Sequence, residues 1–544
     1  MLSGGPALKP RHATLQQALA AAAKSRWGLT FRDAQERDTP LPFADLHQRA
    51  ARTAGGLREM GVKRGDRVAI VLPTGADFMD AFFGALLAGA VPVPLYPPVR
   101  LGRLDEFHQR TARMLAVSGA RVVLSDARVS RLLGVAVSQA RPDLGLHRPP
   151  RGAPFEDAGA AGDLALIQFS SGTTVDPKPV ALTHAAVLHN VAAIETIVPP
   201  DDSEAGVSWL PLYHDMGLIG CLLLAIVRQG PLTLLGPEVF LARPALWLRA
   251  MSQKKATLSV APNFAYGLCA RRIKDSELAG VDLSSWRCAL NGAEPVAPAV
   301  LRRFCERFAP YGFDARAMMP VYGLSEASLA VTFTPPGRGT RTSKHGAREL
   351  ASVGAPLPGI DVDVRDGRIF VRGPSLMREY FGNGEATRAA LRDGWLDTGD
   401  LGFERDGELF VSGRAKDVII LRGANHAPQE FEDALDGAAG VRPGCAVALG
   451  AAGAEGEELV MLVEQGGEAD ADAISARVTE RTGIKPARVV LLEPGTLPRT
   501  SSGKLRRAEA LRQLTAGELR APDKVTLLHL AKEMARSALA RTRT

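Results

Sequence analysis

The sequence is short of every feature that would send it out of the cell or into a bilayer. Its 544 residues include five cysteines, Cys221, Cys269, Cys288, Cys305 and Cys445. Their number is odd, no two stand at CxxC spacing and none adjoins a histidine cluster. That pattern argues against a disulfide framework or zinc site and for buried thiols in a reducing, cytoplasmic compartment. The opening MLSGGPALKPRH lacks the apolar centre of a signal peptide, so export is not expected. The longest apolar runs, Met216 to Val227 and Ala81 to Tyr96, are shorter than the ~20 residues a membrane-crossing helix needs, and Pro92 and Pro94 break the second. Charge of one sign is scarce as well. The 66 basic and 59 acidic residues leave a formal +7 that is scattered along the chain, which points away from nucleic acid and leaves anionic substrates or carriers as partners.

What is present is an ordinary globular balance, 46% apolar and 23% charged, in a chain long enough for at least two domains. RVAIVLP, then DFMDAFFGALLAG, then AVPVPLYPP reads as strand, helix, strand. The same rhythm returns at RVVLS, at ATLSVAPN before FAYGLCARRI, and at SWRCALNGAEPV before VAPAVLRRFCERF, as in a parallel sheet covered by helices. Residues 141–163 and 334–348 read as loops rich in Pro, Gly and charge. After Val353 the short alternating segments IDVDV, RIFVRG and ELFVSG predict a small antiparallel or barrel-like subdomain. Beyond GRAKD (413–417) a helix, two strands, a helix and a third strand predict a small α+β module, with a helical tail packed on it. There is no internal repeat.

One segment bears directly on chemistry. Ser170-Ser171-Gly172-Thr173-Thr174-Val175-Asp176-Pro177, followed by Lys178, comes after the apolar stretch Leu164 to Phe169. Such a loop either cradles phosphate oxygens or is a plain surface turn. Five further segments follow in order: WLPLYHDMGLIG (209–220), NGAEPV (291–296), YGLSEA (322–327), DTGDLG (397–402) with GRAKD, and LPRTSSGKLRR (497–507). The last is not a Walker loop, because Leu505 follows the lysine and Pro498 stands where the first glycine should be.

In this order the segments resemble the adenylate-forming superfamily, and the resemblance runs from about residue 12 to about 507. It implies an α/β enzyme with a large adenylation domain, 1–412, and a small mobile α+β domain, 413–544, hinged at 414–417. It also implies ATP and Mg2+ as cofactors. The reaction is attack of a carboxylate on the α-phosphate of ATP, in which cations and amide dipoles must offset anion repulsion. The resemblance assigns ATP or AMP binding to Ser170, Ser171, Gly172, Thr173, Thr174, Lys178, Asn291, Gly292, Ala293, Glu294, Tyr322, Gly323, Leu324, Ser325, Asp400 and Arg414. Lys504 and Glu326 are its catalytic residues, Lys504 as the cation and Glu326 as the metal ligand, and Lys416 is the hinge. His214, Asp215, Met216 and Gly217 line the substrate site, with an ordinary buried histidine as the alternative for His214.

The WLPLYHDMGLIG and RGANHAPQEFE segments resemble the fatty acyl-AMP ligase branch most closely. That implies a fatty acid substrate and transfer to the phosphopantetheine thiol of acyl carrier protein. Two alternatives stay open: a medium- or long-chain fatty acyl-CoA ligase using CoA, and an inactive nucleotide- or acyl-binding homologue. Val175 and Pro179 replace glycines common in the family, and they predict a stiffer phosphate loop.

Overall fold

A computed structural model describes the chain except for residues 99–100, 171–176, 198–203, 347, 422–423, 454–455, 501–502, 523–525 and 542–544. Its main sheet has nine strands, ordered Ala355–Pro356, Ala330–Phe333, Met318–Gly323, Cys288–Asn291, Leu258–Ala261, Gly206–Ser208, Leu232–Leu235, Gly28–Arg32, Asp38–Pro42. The six central strands pair in parallel and the outer ones antiparallel. Central strands covered on both faces are mostly apolar and free of charge, as CALN and LSVA are. A second, four-stranded parallel sheet holds Val91–Pro94, Arg67–Val71, Ala120–Ser125 and Leu146–His147.

The first core gathers buried residues from Leu2 to Leu409, including a ring cluster in which Trp247 meets Trp286 at 5.2 Å and Tyr266 meets Phe304 at 4.9 Å. Separate cores lie further along, one from Ile419 to Val478 and one from Cys445 to Ala510. There Val441–Gly453 pairs antiparallel with Gly456–Gln465, which pairs parallel with Arg488–Leu492.

The segments after Val353 form an antiparallel six-stranded sheet containing Asp361–Arg365, Arg368–Arg372, Trp395–Arg405 and Glu408–Arg414. Among the described residues this sheet does not close into a barrel, so the barrel-like expectation reduces to its antiparallel form. The loop expected at 334–348 contains part of a hairpin, Thr342–His345 paired with Arg348–Ala351. Its strand Thr342–His345 buries only Ser343, so no apolar alternation announced it. The tail also divides. Arg507–Thr515 joins the Cys445–Ala510 core as expected, but Leu527–Arg541 lies along the helix Ser130–Ala140. Among the described residues no helix is long and apolar enough to cross a membrane.

Candidate active site

Four neighbouring parallel strands deliver the motifs to one edge of the main sheet. Gly206–Ser208 leads to His214 and Asp215, Leu258–Ala261 to Asn263, Cys288–Asn291 to Glu294, and Met318–Gly323 to Glu326. Parallel strands all end on the same side, so residues just past their carboxyl ends converge there whatever their separation in sequence. Gly323 closes the last strand where a Cβ would stand 1.8 Å from the Leu329 carbonyl oxygen, an approach only glycine permits.

Asp400 is the best-braced residue of the site. It is 4% exposed, accepts the Tyr322 hydroxyl on Oδ2 at 2.7 Å and meets Arg414 Nε with Oδ1 at 3.0 Å. Its register partner across the antiparallel pair is Arg414 itself. Burial raises its pKa, and Arg414 and Tyr322 offset part of that rise. The carboxylate is thus fixed before any ligand arrives.

Asp215 sits at the start of the helix Asp215–Gly217, one oxygen held by the Ser325 hydroxyl and the other by the Met216 amide at 2.7 Å. His214 Nδ1 lies 3.9 Å from Oδ1. Burial alone would raise the Asp215 pKa, but His214, Ser325 and Lys504 outweigh it and hold the group below the ordinary carboxylate range. Glu294 goes the other way: burial raises its pKa although the Phe264 amide donates to Oε1 at 2.6 Å. Asn291, fully buried, donates to Asn263 Oδ1 at 3.3 Å, and its own Oδ1 has no hydrogen-bond partner. A buried acceptor without a partner is costly unless a ligand donor completes it.

Glu326 accepts the Tyr380 hydroxyl on Oε1 at 2.8 Å, and Lys178 Nζ stands 4.5 Å over the Tyr380 ring. Tyr380 was not foreseen from the sequence. It lies on the short strand Glu379–Tyr380 beside Pro179–Thr183, in a segment without any motif. Ser170 accepts the Lys178 amide on Oγ at 3.3 Å, while its own amide donates to the Lys178 carbonyl at 2.9 Å. Between these two, Ser171, Gly172, Thr173 and Thr174, with Val175, lie outside the described residues. Pro179 opens its strand, the position where a missing amide donor is tolerated, and its carbonyl accepts from Phe381 at 2.7 Å.

Lys504 reaches this site from the far end of the chain. It sits on a tight turn in which Arg499 bridges Leu505, and the Lys504 amide donates to Thr500 Oγ1 at 3.0 Å. Burial lowers its pKa; Asp215 then raises it, Arg414 lowers it, and Glu294 and Asp400 raise it. The charges that act on Lys504 are therefore those of the site. Lys416, on the single turn Ala415–Asp417, is lowered by burial and then by Arg414, and Lys178 is close enough to contribute. Met216 and Gly217 begin a helix that continues through a π-helical stretch, Leu218–Leu223, into Leu224–Arg228. That helix lines a small apolar pocket with Val207, Leu232 and Val260, half open to solvent and with room for about 50 Å³.

A model of the AMP-binding enzyme family matches residues 18–381. The chain belongs to that family. It is an adenylating ligase. A protein of Caulobacter vibrioides described as a putative acyl-CoA synthetase is 36% identical over 93% of this chain and 96% of its own length. JamA of Moorena producens, a medium-chain-fatty-acid–[acyl-carrier-protein] ligase, is 31% identical over 88% of this chain and 90% of its own. Among solved structures, one from a study of fatty acyl-adenylate ligases of E. coli and L. pneumophila superposes with TM-score 0.88 at 34% identity, over 94% of this chain and 99% of that one.

Proposed function

We propose that this ligase activates a fatty acid as acyl-adenylate with release of pyrophosphate, then passes the acyl group to the phosphopantetheine thiol of an acyl carrier protein. The adenylate-forming half of this reading is supported by the Lys504 turn, whose Thr500 shares a cleft with Ser170 and His214, and by the charges acting on Lys504, those of Asp215, Arg414, Glu294 and Asp400. A cation delivered to a site already built from braced carboxylates can stabilise the negative charge that gathers when a carboxylate attacks the α-phosphate.

The remaining roles follow from chemistry. Asp400, with both oxygens directed by Tyr322 and Arg414, suits a ribose cis-diol, since a carboxylate accepts two hydroxyl hydrogen bonds. Asn291 Oδ1 and the small residues Gly292 and Ala293 suit an adenine edge. Tyr322, Leu324 and Ser325 close the wall. Ser170 to Thr174 and Lys178 take the outer phosphates. Tyr380 engages Oε1 of Glu326 and leaves Oε2 for a hard divalent ion, which fits magnesium, a cation that takes few carboxylates and shares phosphate oxygens. When bound, magnesium would supply charge neutralisation of the phosphates. The helix that begins at Asp215 offers the acyl chain an apolar wall, through Gly220, Cys221 and Leu224. Residues 413 to about 519 form the moving unit, hinged at Lys416.

Incubation with ATP, Mg2+ and fatty acids of increasing length, with CoA or phosphopantetheinylated carrier protein, tests the reading by product mass. Acyl-adenylate that persists in the presence of CoA and is consumed by carrier protein is the expected result. Rapid acyl-CoA formation would establish the CoA ligase instead, a reading supported by the Caulobacter relative's description. Absence of pyrophosphate with every acid would leave the inactive homologue.

A further inference from the structure

The chain leaves the Lys504 turn, packs Arg507–Thr515 and Leu519 on the core beside it, and then departs. Its last helix, Leu527–Arg541, docks on Ser130–Ala140 near the other end of the molecule's sequence. The Gly134 amide donates to Ser537 Oγ at 2.6 Å, and a Cβ on Gly134 would stand 2.0 Å from the Ser537 carbonyl oxygen. Such contact requires glycine at 134. Ser537 is fully buried, and Arg536 Nη1 meets Asp105 Oδ1 at 2.6 Å.

The same face continues into a second set of contacts. Arg103 Nη2 donates to the carbonyls of Gly495 at 3.3 Å, Thr496 at 3.0 Å and Arg520 at 3.0 Å. Three residues on, Glu106 Oε1 meets Arg506 Nη1 at 3.0 Å. Gly495 and Thr496 precede the Lys504 turn, and Arg506 and Arg520 follow it. Residues 103–134 therefore hold the chain on both sides of Lys504.

We infer that Arg103 is a positioning residue, and the C-terminal helix a strap, that together hold Lys504 in the adenylate-forming site and slow its withdrawal for the thioester step. This rests on the function proposed above. The three carbonyls share the two N–H groups of a single nitrogen, Nη2, so Arg103 gathers Gly495, Thr496 and Arg520 at one point and ties the chain before Lys504 to the chain after it. From Leu519 to Leu527 the chain spans eight Cα steps, at most ~28 Å when fully extended. A unit turning about Lys416 carries Gly495 and Thr496 with it, so it must break the Arg103 contacts and then swing within that tether or pull the helix off.

The test uses the full-length chain. Gly134→Val pushes against Ser537, and Arg536→Glu, which faces Asp105 with like charge, is a second release variant. Release is read as protease cleavage within 520–526. Each step is then followed alone: acid-dependent pyrophosphate release, and single-turnover consumption of preformed lauroyl-adenylate by carrier protein or CoA. Both release variants should be cleaved faster and should consume the adenylate at least about threefold faster, as expected when a domain motion gates the step, with pyrophosphate release little changed. Arg103→Ala should lower kcat for pyrophosphate release about tenfold at unchanged KM for ATP, the order of loss expected when a catalytic group is misplaced, and Arg103→Lys should recover part of it. Unchanged cleavage in both release variants would overturn the docked helix. Faster cleavage with an unchanged thioester step, or an unaffected kcat in Arg103→Ala, would overturn the strap. Were the wild type to release no pyrophosphate, the adenylate reading would fall, and the cleavage result would still report on docking.

Discussion

The two halves of the site are built on opposite principles. The nucleotide side is braced inward: Asp400 is held by Tyr322 and Arg414, Glu326 by Tyr380, and Asp215 by Ser325, all on strands or on the turns and short helix that follow them. The lysine side is braced outward. Lys504 stands on a turn closed by Thr500 and Arg499, and the groups that hold its loop, Arg103 and Glu106, come from the helix Leu104–Ser118 and the turn before it. A rigid grip should bind nucleotide without the lysine, whereas the lysine should matter for reaction far more than for binding.

The largest expected effect separates the halves by removing the cation. Lys504→Ala should lower acid-dependent pyrophosphate release by ~10²–10³-fold, the usual loss for a donor that meets transition-state charge, while nucleotide affinity measured by calorimetry changes little. Next comes the grip. Asp400→Asn keeps shape but loses the charge facing Arg414, and its KM for ATP should rise by roughly 10–100-fold, in line with losing charge-assisted hydrogen bonds. Glu326→Gln should shift half-saturation by Mg2+ upward by about tenfold, because a neutral amide is a weaker ligand for a hard cation.

The smallest effect is in pH. Burial lowers the pKa of Lys504, so its charge is present at low pH and lost as pH rises through that lowered value. The alkaline limb of kcat/KM should therefore fall below the ordinary lysine value of ~10.4. Lys504→Arg should remove that limb, because a guanidinium keeps its proton throughout.

Much of this was legible before the fold was known. Parallel strands buried on both faces exclude charge, so the uncharged segments CALN and LSVA declared themselves, and the motif after each sat at a strand end by necessity. The partners of those motifs were not legible. Tyr380 meets Glu326 across 54 positions, and a lone tyrosine on a two-residue strand has no pattern. The hairpin at Thr342–Ala351 was read as loop because its first strand is mostly exposed and polar. The docking of Leu527–Arg541 was missed for a similar reason: it depends on Gly134 and Ser537, two small residues whose value lies in a close approach that only the fold creates.

The division of labour between grip and delivered cation is the central claim, and one paired measurement reaches it directly. Asp400→Asn and Lys504→Ala are compared for ATP dissociation constant and for single-turnover formation of acyl-adenylate at saturating ATP and fatty acid. The account predicts that Asp400→Asn loses affinity but forms adenylate once saturated, whereas Lys504→Ala binds ATP normally and forms almost none. Adenylate formation at the wild-type rate by Lys504→Ala, with Asp400→Asn the inert variant even at saturation, would contradict it.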